Sequence, residues 1–383
     1  MLRFLLALSF ILASTAHAAI IYVPQDVRTI QGGIDRARNG DLVKVAAGTY
    51  RERIDFKGKA IRLLGSGTEE TVLDASSVQS FANGGVVTFE TGESAASILD
   101  GFTLLGGRAH YEGGGVYCLG SSPTIRNCTI THCSVGRNLS GGGGISCFDA
   151  APTITKCRII DNSSSDVGGG IYCDEGSNPS LAKCVIAYND ARNAGGGIFS
   201  TKSSTELTNS IIKGNSTELY GGGIYCHFKS SLALTNCTIS DNSAYRGGGL
   251  IMGYASTARV TNCTITENSA QSFDGVQVDS GSDGVLYGSI VWGNDGEDLG
   301  GDGEAAVAFS NIGGGHVGQG NISANPKFGF YRGFEFVLLP GSPCIDASSG
   351  EIRDGISWPY WYPNTQRSDM GAYGGPGAAG WLP

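Results

Sequence analysis

The 383-residue chain is short of charge, and what it has is unbalanced: 16% of residues are Asp, Glu, Lys or Arg, with a formal net charge of −9. No basic patch offsets the deficit, which argues against a nucleic acid as partner, since phosphate binding rests on clustered cations. Long apolar runs are also missing. The longest, Phe4 to Ala13, is too short to cross a bilayer, so no transmembrane segment is expected in the mature chain. The glycine clusters are not followed by Lys-Ser/Thr or by a helical pattern, which leaves a phosphate-cradling loop without support. The eleven cysteines contain no tight CxxC pair and the histidines no cluster, so no metal site and no cofactor is expected.

The first residues have the order of a secretory signal. Arg3 supplies the positive start, Phe4 to Ala13 the apolar run, and Ala16-His17-Ala18 the small-residue cleavage site. The mature chain is expected to begin at Ala19 and to be secreted or held at the cell surface.

What the chain has in abundance is glycine, 61 residues, and much of it is periodic. Triple glycines open short apolar strands at Gly113, Gly142, Gly168, Gly195, Gly221 and Gly247, at steps of 29, 26, 27, 26 and 26 residues. A period that short with no helical pattern fits a solenoid, each repeat being one turn of a wound ribbon. A second motif follows each triplet: NCTI at Asn127, KCRI at Lys156, KCVI at Lys183, NSII at Asn209, and NCTI at Asn236 and Asn262. Between the two lies a segment with one central apolar residue: Ile125, Ile154, Leu181, Leu207, Leu234, Val260 or Leu286. Three strands per turn, with apolar residues alternating as in Ile171 and Cys173 around Tyr172, make an all-β coil whose turns pair in parallel about 4.8 Å apart. The predicted divisions are a signal at 1–18, a cap with early coils at 19–110, regular repeats at 111–295 and a closing segment at 296–383.

Laying the coils over one another produces four rows. Asn162, Asn189, Asn215, Asn242 and Asn268 fall at one place, with Asn294 after them and Cys133 in the first coil, and are read as a structural ladder. The glycines form a second row, where a coil corner forbids a Cβ. Cysteines form a third. Cys118, Cys147, Cys173 and Cys226 end the triple-glycine strands, while Cys128, Cys157, Cys184, Cys237 and Cys263 sit in the second motif. In the coil from Gly195 both positions turn to serine, Ser200 and Ser210, which suggests pairing within a coil. Met252 opposite Cys263 and the odd total of eleven speak against it. Bridges between coils, or a row of buried thiols acting as small hydrophobes, are the other readings. The fourth row, Tyr117, Tyr172, Phe199 and Tyr225, faces out. It is either an exposed strip that stacks on sugar rings or a protein partner, or a strand-forming choice covered by a loop.

At the ends, Thr29 to Asp41 predicts a short cap helix with Ile30, Ile34 and Ala37 on one face. The tail from Asn311 predicts an irregular closing segment in which Asp346, Asp354, Arg367 and Asp369 could form an ion-paired clasp.

These segments resemble a known family, the secreted bacterial right-handed parallel β-helix repeat proteins of the pectin-lyase-like superfamily. The resemblance is carried by TIQGGIDRARNGDLVKVAAGTYRERIDFKGKAIRLLGSG, by ILDGFTLLGG at Ile98, by repeats like those of polymorphic outer-membrane proteins, and by the tail NISANPKF, LLPGSPCIDAS and RSDMGAYGG. It implies a single-stranded right-handed parallel β-helix with a cap helix and an irregular C-terminal closing segment. Asn325 stands before Pro326 where the family's tail usually has an acid, which weakens a metal site there.

The superfamily includes enzymes and non-catalytic surface proteins. Its lyases need a base and acids or calcium, and its hydrolases need paired carboxylates. The outward neighbours of the central strand, from Thr124 and Arg126 to Arg259 and Thr261, include Glu206 but no carboxylate cluster. Asp74 and Asp100, both in Leu-Asp pairs of early coils, are read as turn residues. The expectation is a non-catalytic protein that uses its outer face for adhesion to an extracellular polysaccharide or surface protein. The alternative is a carbohydrate-active enzyme, lyase-like, acting on an acidic polysaccharide.

Overall fold

The computed structural model describes residues 18–78, 84–110, 113–136, 141–349, 367–375, 378 and 381. One coil explains the rest. Val116–Leu119 is followed by Thr124–Arg126, Thr129–Thr131 and the two-residue strand Ser134–Val135, and Ile145–Phe148 then opens the next coil. Each strand pairs in parallel with its counterpart one coil on, as in Val116↔Ile145, Ile125↔Ile154 and Ile130↔Ile159.

Stacking builds three long sheets. The first, of 12 strands, runs from Ile20–Val23 to Glu304–Ala308 and contains the central strand of each repeat. The second, of 11, runs from Gly48–Tyr50 to Asn311–Ile312, and the third, of 10, from Ile54–Asp55 to Leu299–Gly300. A short five-stranded sheet, from Arg108–Ala109 to Ser216–Thr217, fills the corner between the second and third and was not foreseen. The coil also continues to Ile312, one turn past the point where the repeat fades, because pairing of Asp283↔Glu304 and Ile290↔Asn311 needs only backbone.

Alternation decides which side chains go inside. Ile125, Ile154, Leu181, Leu207, Leu234, Val260 and Leu286 are all buried in one continuous core. The asparagine ladder lies between the second sheet and the short one. Nδ2 of Asn162, Asn189, Asn215, Asn242 and Asn268 donates to Oδ1 of the next asparagine at 2.9–3.0 Å, and Asn294 ends the row on the Asp298 carboxylate. The left-handed residue at this corner is the one before each asparagine, Asp161, Tyr188, Gly214, Asp241 or Glu267, rather than the asparagine itself. At the triple glycines two constraints meet. Gly195 has φ +63, and a Cβ on Gly197 would lie 2.5 Å from the Gly223 carbonyl oxygen.

The ends close as the sequence predicts in outline. The cap helix spans Ile30–Arg36, the Thr29 side chain accepts from the Gly32 amide, and Ile30, Ile34 and Ala37 are buried. Gly32 and Gly33 belong there because Val27, Val23 and Val43 press against them. At the far end the antiparallel hairpin of Phe328–Tyr331 and Phe334–Leu338 precedes a strap that lies on the second sheet. Thr264 Oγ1 accepts the Ala372 amide at 3.0 Å, and Asn236 Nδ2 donates to the Ala372 carbonyl at 3.0 Å. Of the clasp residues, the Asp346 amide donates to Asp369 at 2.8 Å, and Asp354 lies outside the described residues. Among the described residues no helix is long and apolar enough to cross a membrane.

Candidate functional site

All eleven cysteines are buried and free. Several neighbour thiols of adjacent coils: Cys118, Cys147 and Cys173 stack in register, and the Cys157 thiol lies beside that of Cys128 while donating to the Ile125 and Thr155 carbonyls. Pairing within a coil is not seen. At the two positions that turn to serine together, Ser200 Oγ meets Thr205 Oγ1 at 3.1 Å while Ser210 Oγ donates to the Thr208 carbonyl at 2.9 Å. Burial pushes the Cys184 thiol up to about 11 and Cys226 to about 12, which makes them poor nucleophiles at neutral pH. Cys237 and Cys263 form a further stacked pair in the same row.

The outward aromatic row is not an exposed strip. Tyr117, Tyr172, Phe199 and Tyr225 are only 2%, 3%, 7% and 5% exposed. The chain just before the triple glycines at Gly168 and Gly195 folds back over the row, so that Val167 and Ala194 pack with Tyr172, Phe199, Tyr225 and Ile251 in a cluster separate from the main core. The rings fill the space by stacking, Tyr172 on Phe199 at 5.8 Å, and by edge contact, Phe199 to Tyr225 at 5.6 Å. Burial raises the Tyr225 hydroxyl above its ordinary value and lowers His227, which sits 4.7 Å from the Tyr254 ring. The rings of the row are themselves buried; exposed aromatics beside it are Tyr220, whose ring lies 6.1 Å from Tyr225, and Phe228 and Tyr254 on the turns that follow.

Charge is organised elsewhere, where the first sheet turns into the second. Register places Asp100 beside Leu64 on one side and Arg126 on the other. Asp100 Oδ2 accepts from Arg62 Nη2 at 2.8 Å and Arg126 Nε at 2.9 Å, and Oδ1 accepts from Asn127 Nδ2 at 2.8 Å. The Asp100 side chain is 6% exposed while the arginines keep 42% and 36% of theirs. Burial works against its ionisation, yet the hydrogen bonds from Asn127, Arg62 and Arg126 hold the carboxyl below the usual range. The turn role read for Asp100 is therefore corrected. Asp74 is not its counterpart: it lies on the second sheet and caps the Ser76 amide. The resemblance of the two Leu-Asp pairs concealed that they sit on different faces.

The same corner carries further cations. Asn127, Lys156 and Lys183 stack in consecutive coils, each with its amide bonded to the next coil and each left-handed at φ 50, 54 and 56. Lys156, Lys183 and Arg158 are exposed. Glu69 and Glu70 are exposed at the N-terminal end of this edge. Two guanidiniums set by a buried carboxylate, followed by two stacked ammoniums, can form charge-assisted hydrogen bonds to carboxylates or sulfates presented in a row. Asp100, engaged by three donors, is not placed to exchange a proton. Among the described residues no group of three or more His, Cys, Asp or Glu side chains is arranged to hold a metal ion.

A family model described as the right handed beta helix region matches residues 59–231 and 217–331. The chain belongs to the right-handed β-helix family. The hand of this β-helix, which the period alone leaves open, follows from that membership. A pectate lyase of known structure is similar to it with a TM-score of 0.55 at 14% identity, over 92% of this chain and 96% of that one. A pectin methylesterase from carrot aligns at 15% identity and a TM-score of 0.34, over 76% of this chain and 90% of that one. At 14% identity the likeness to the pectate lyase is one of fold alone. No curated protein matches the sequence.

Proposed function

We propose that the protein is an exported, non-catalytic β-helix that binds an acidic polysaccharide along the corner between its first and second sheets. The observation that carries this reading is the buried Asp100 carboxylate, which holds Arg62 and Arg126 side by side with over a third of each side chain in solvent. A carboxylate that only neutralised two arginines would leave one positive charge in excess. Lys156 and Lys183 add two more along the same edge, on a chain whose overall charge is −9. A polymer carrying acid groups at regular intervals matches such a row, and a neutral sugar does not. Binding of this kind weakens with salt.

The enzyme reading would have to draw on Glu69, Glu70 or the lysines, since Asp100 is engaged by three donors and an arginine stays protonated at any ordinary pH. The fold shared with a pectate lyase is nevertheless a reason to test turnover. The protein should be retained on immobilised pectate, alginate or chondroitin sulfate and released by a salt gradient, with no retention on a neutral glucan. Lys156→Glu with Lys183→Glu should abolish retention. Equal retention of that variant would remove the proposed edge. Ultraviolet absorbance from unsaturated product, abolished by Arg126→Ala, would replace binding by lyase activity.

A further inference from the structure

The first strand, Ile20–Val23, is preceded by a residue held on both sides. The Ala19 carbonyl accepts the Leu42 amide at 2.9 Å, and the Ala19 nitrogen lies 2.8 Å from Asp41 Oδ1. The other oxygen of Asp41 accepts the Arg38 amide at 2.8 Å, so the carboxylate bridges the chain leaving the cap helix and the residue that enters the first sheet. Hydrogen bonds from the Arg38 and Ala19 amides keep Asp41 ionised below its ordinary range, although only 9% of the residue is exposed. Ala18 and Ala19 themselves are exposed, at the lip of a recess lined also by Asp26, Arg36 and Arg38.

We propose that Asp41 is a socket for the α-ammonium group created when the chain is cut between Ala18 and Ala19. This rests on the export reading. Hydrolysis breaks the Ala18–Ala19 peptide bond, water giving its hydroxyl to the Ala18 carbonyl and a proton to the Ala19 nitrogen. That nitrogen binds one more proton from solvent, and Ala18 leaves as a carboxylate. The nitrogen that had a single N–H then has three and a positive charge, at the same 2.8 Å from the carboxylate. Processing turns an amide contact into an ion pair without moving an atom of the fold.

The other charges nearby do not fill the socket. The Asp26 carboxylate is occupied by the Tyr22 amide at 2.8 Å, and Lys59 Nζ is bound to the Ile34, Asp35 and Ala37 carbonyls. Arg36, Arg38 and Lys59 are like charges to the new ammonium and oppose it, but none has a contact with Asp41 Oδ1 as short as that of the Ala19 nitrogen. The amine is thus raised above its ordinary value of about 7.7–8.0. A raised amine contributes stability below its unfolded value, and that stability is lost as pH rises through the folded value.

The test uses the full chain produced with its own leader. Mass spectrometry should give Ala19 as the first residue of the exported protein. Acylation of the α-amine, followed at the N-terminal peptide from pH 6 to 10, should titrate about one unit above the unfolded control, so that labelling at pH 8 is about fivefold slower. Asp41→Asn keeps an acceptor for the Arg38 amide and should return labelling to the control rate. A protein carrying one added glycine before Ala19 keeps the carboxylate, displaces the amine and should also titrate normally. A first residue other than Ala19 overturns the cut and the socket with it. Ala19 with an ordinary amine overturns the socket alone and leaves export standing.

Discussion

Two corners of the same coil carry asparagine at coil spacing and use it in opposite ways. At the corner beyond the second sheet, Asn162, Asn189, Asn215, Asn242 and Asn268 are almost fully buried and bond amide to amide. At the corner between the first and second sheets the row reads Asn127, Lys156, Lys183, Asn209, Asn236 and Asn262, and its first three members are exposed. From Asn162 on the inner row is constrained, because each side chain is at once donor and acceptor where water cannot substitute. The outer row needs only a residue that accepts a left-handed backbone, so its side chains are free to be lysine, or, at Asn236, to tie down the closing strap. Specificity in this fold can be written on the second kind of corner and not on the first.

The largest test strikes the inner row. Asn215→Leu removes the acceptor of Asn189 and the donor to Asn242 and Ile186 together, and should cost about 4 kcal/mol, a fall in melting temperature of about 5 °C. An unchanged melt would sink the ladder. Next is the aromatic row, which belongs to the interior: Tyr225→Ala should cost about 3 kcal/mol while leaving retention on an acidic glycan unchanged. Weakened retention in a folded variant would return the row to the binding surface. Asp100→Asn at the outer corner should cost about 1–2 kcal/mol, the half-exposed arginines being partly screened. Its pH dependence has a definite sign. A carboxyl lowered in the folded state stabilises above its ordinary value of about 3.9, and that contribution is lost as pH falls through the folded value. The variant should therefore lose less stability on acidification than the parent, and parallel acid limbs would deny Asp100 its role. Lys156→Glu with Lys183→Glu should leave the melt within about 1 °C while abolishing glycan retention, the outcome that most sharply separates the two corners. Last, denatured and unreduced protein should titrate eleven thiols; fewer would mean that stacked cysteines had joined between coils.

The coil was legible in the sequence because its signals repeat: triple glycines, the central apolar residue and the inner asparagines recur often enough to be aligned by eye. The cap helix was legible from Thr29 and the spacing of Ile30, Ile34 and Ala37. The candidate site was not, and for a physical reason. Arg62 and Asp100 lie in the early coils, where steps are irregular, so their register with Arg126 emerges only from the backbone pairing Leu64↔Asp100↔Arg126. The aromatic row was placed on the correct face, but whether it meets solvent or lies under a loop stayed open, since alternation tells which side of a sheet a residue occupies and not whether another segment lies over it. Val167 and Ala194, which do the covering, precede the glycines by one residue and carry no signal of their own.

The inner ladder also has a direction. Every Nδ2 bonds one carbonyl of the coil before it and the Oδ1 of the asparagine that follows, so each asparagine passes on the demand it satisfies, and nothing in the row itself limits the number of turns. Asp298 receives that demand and, as a carboxylate, hands nothing forward. One oxygen in place of one amide group is a stop signal for a repeating architecture, and replacing it by asparagine in a chain with added coils is a direct way to set the length of the rod.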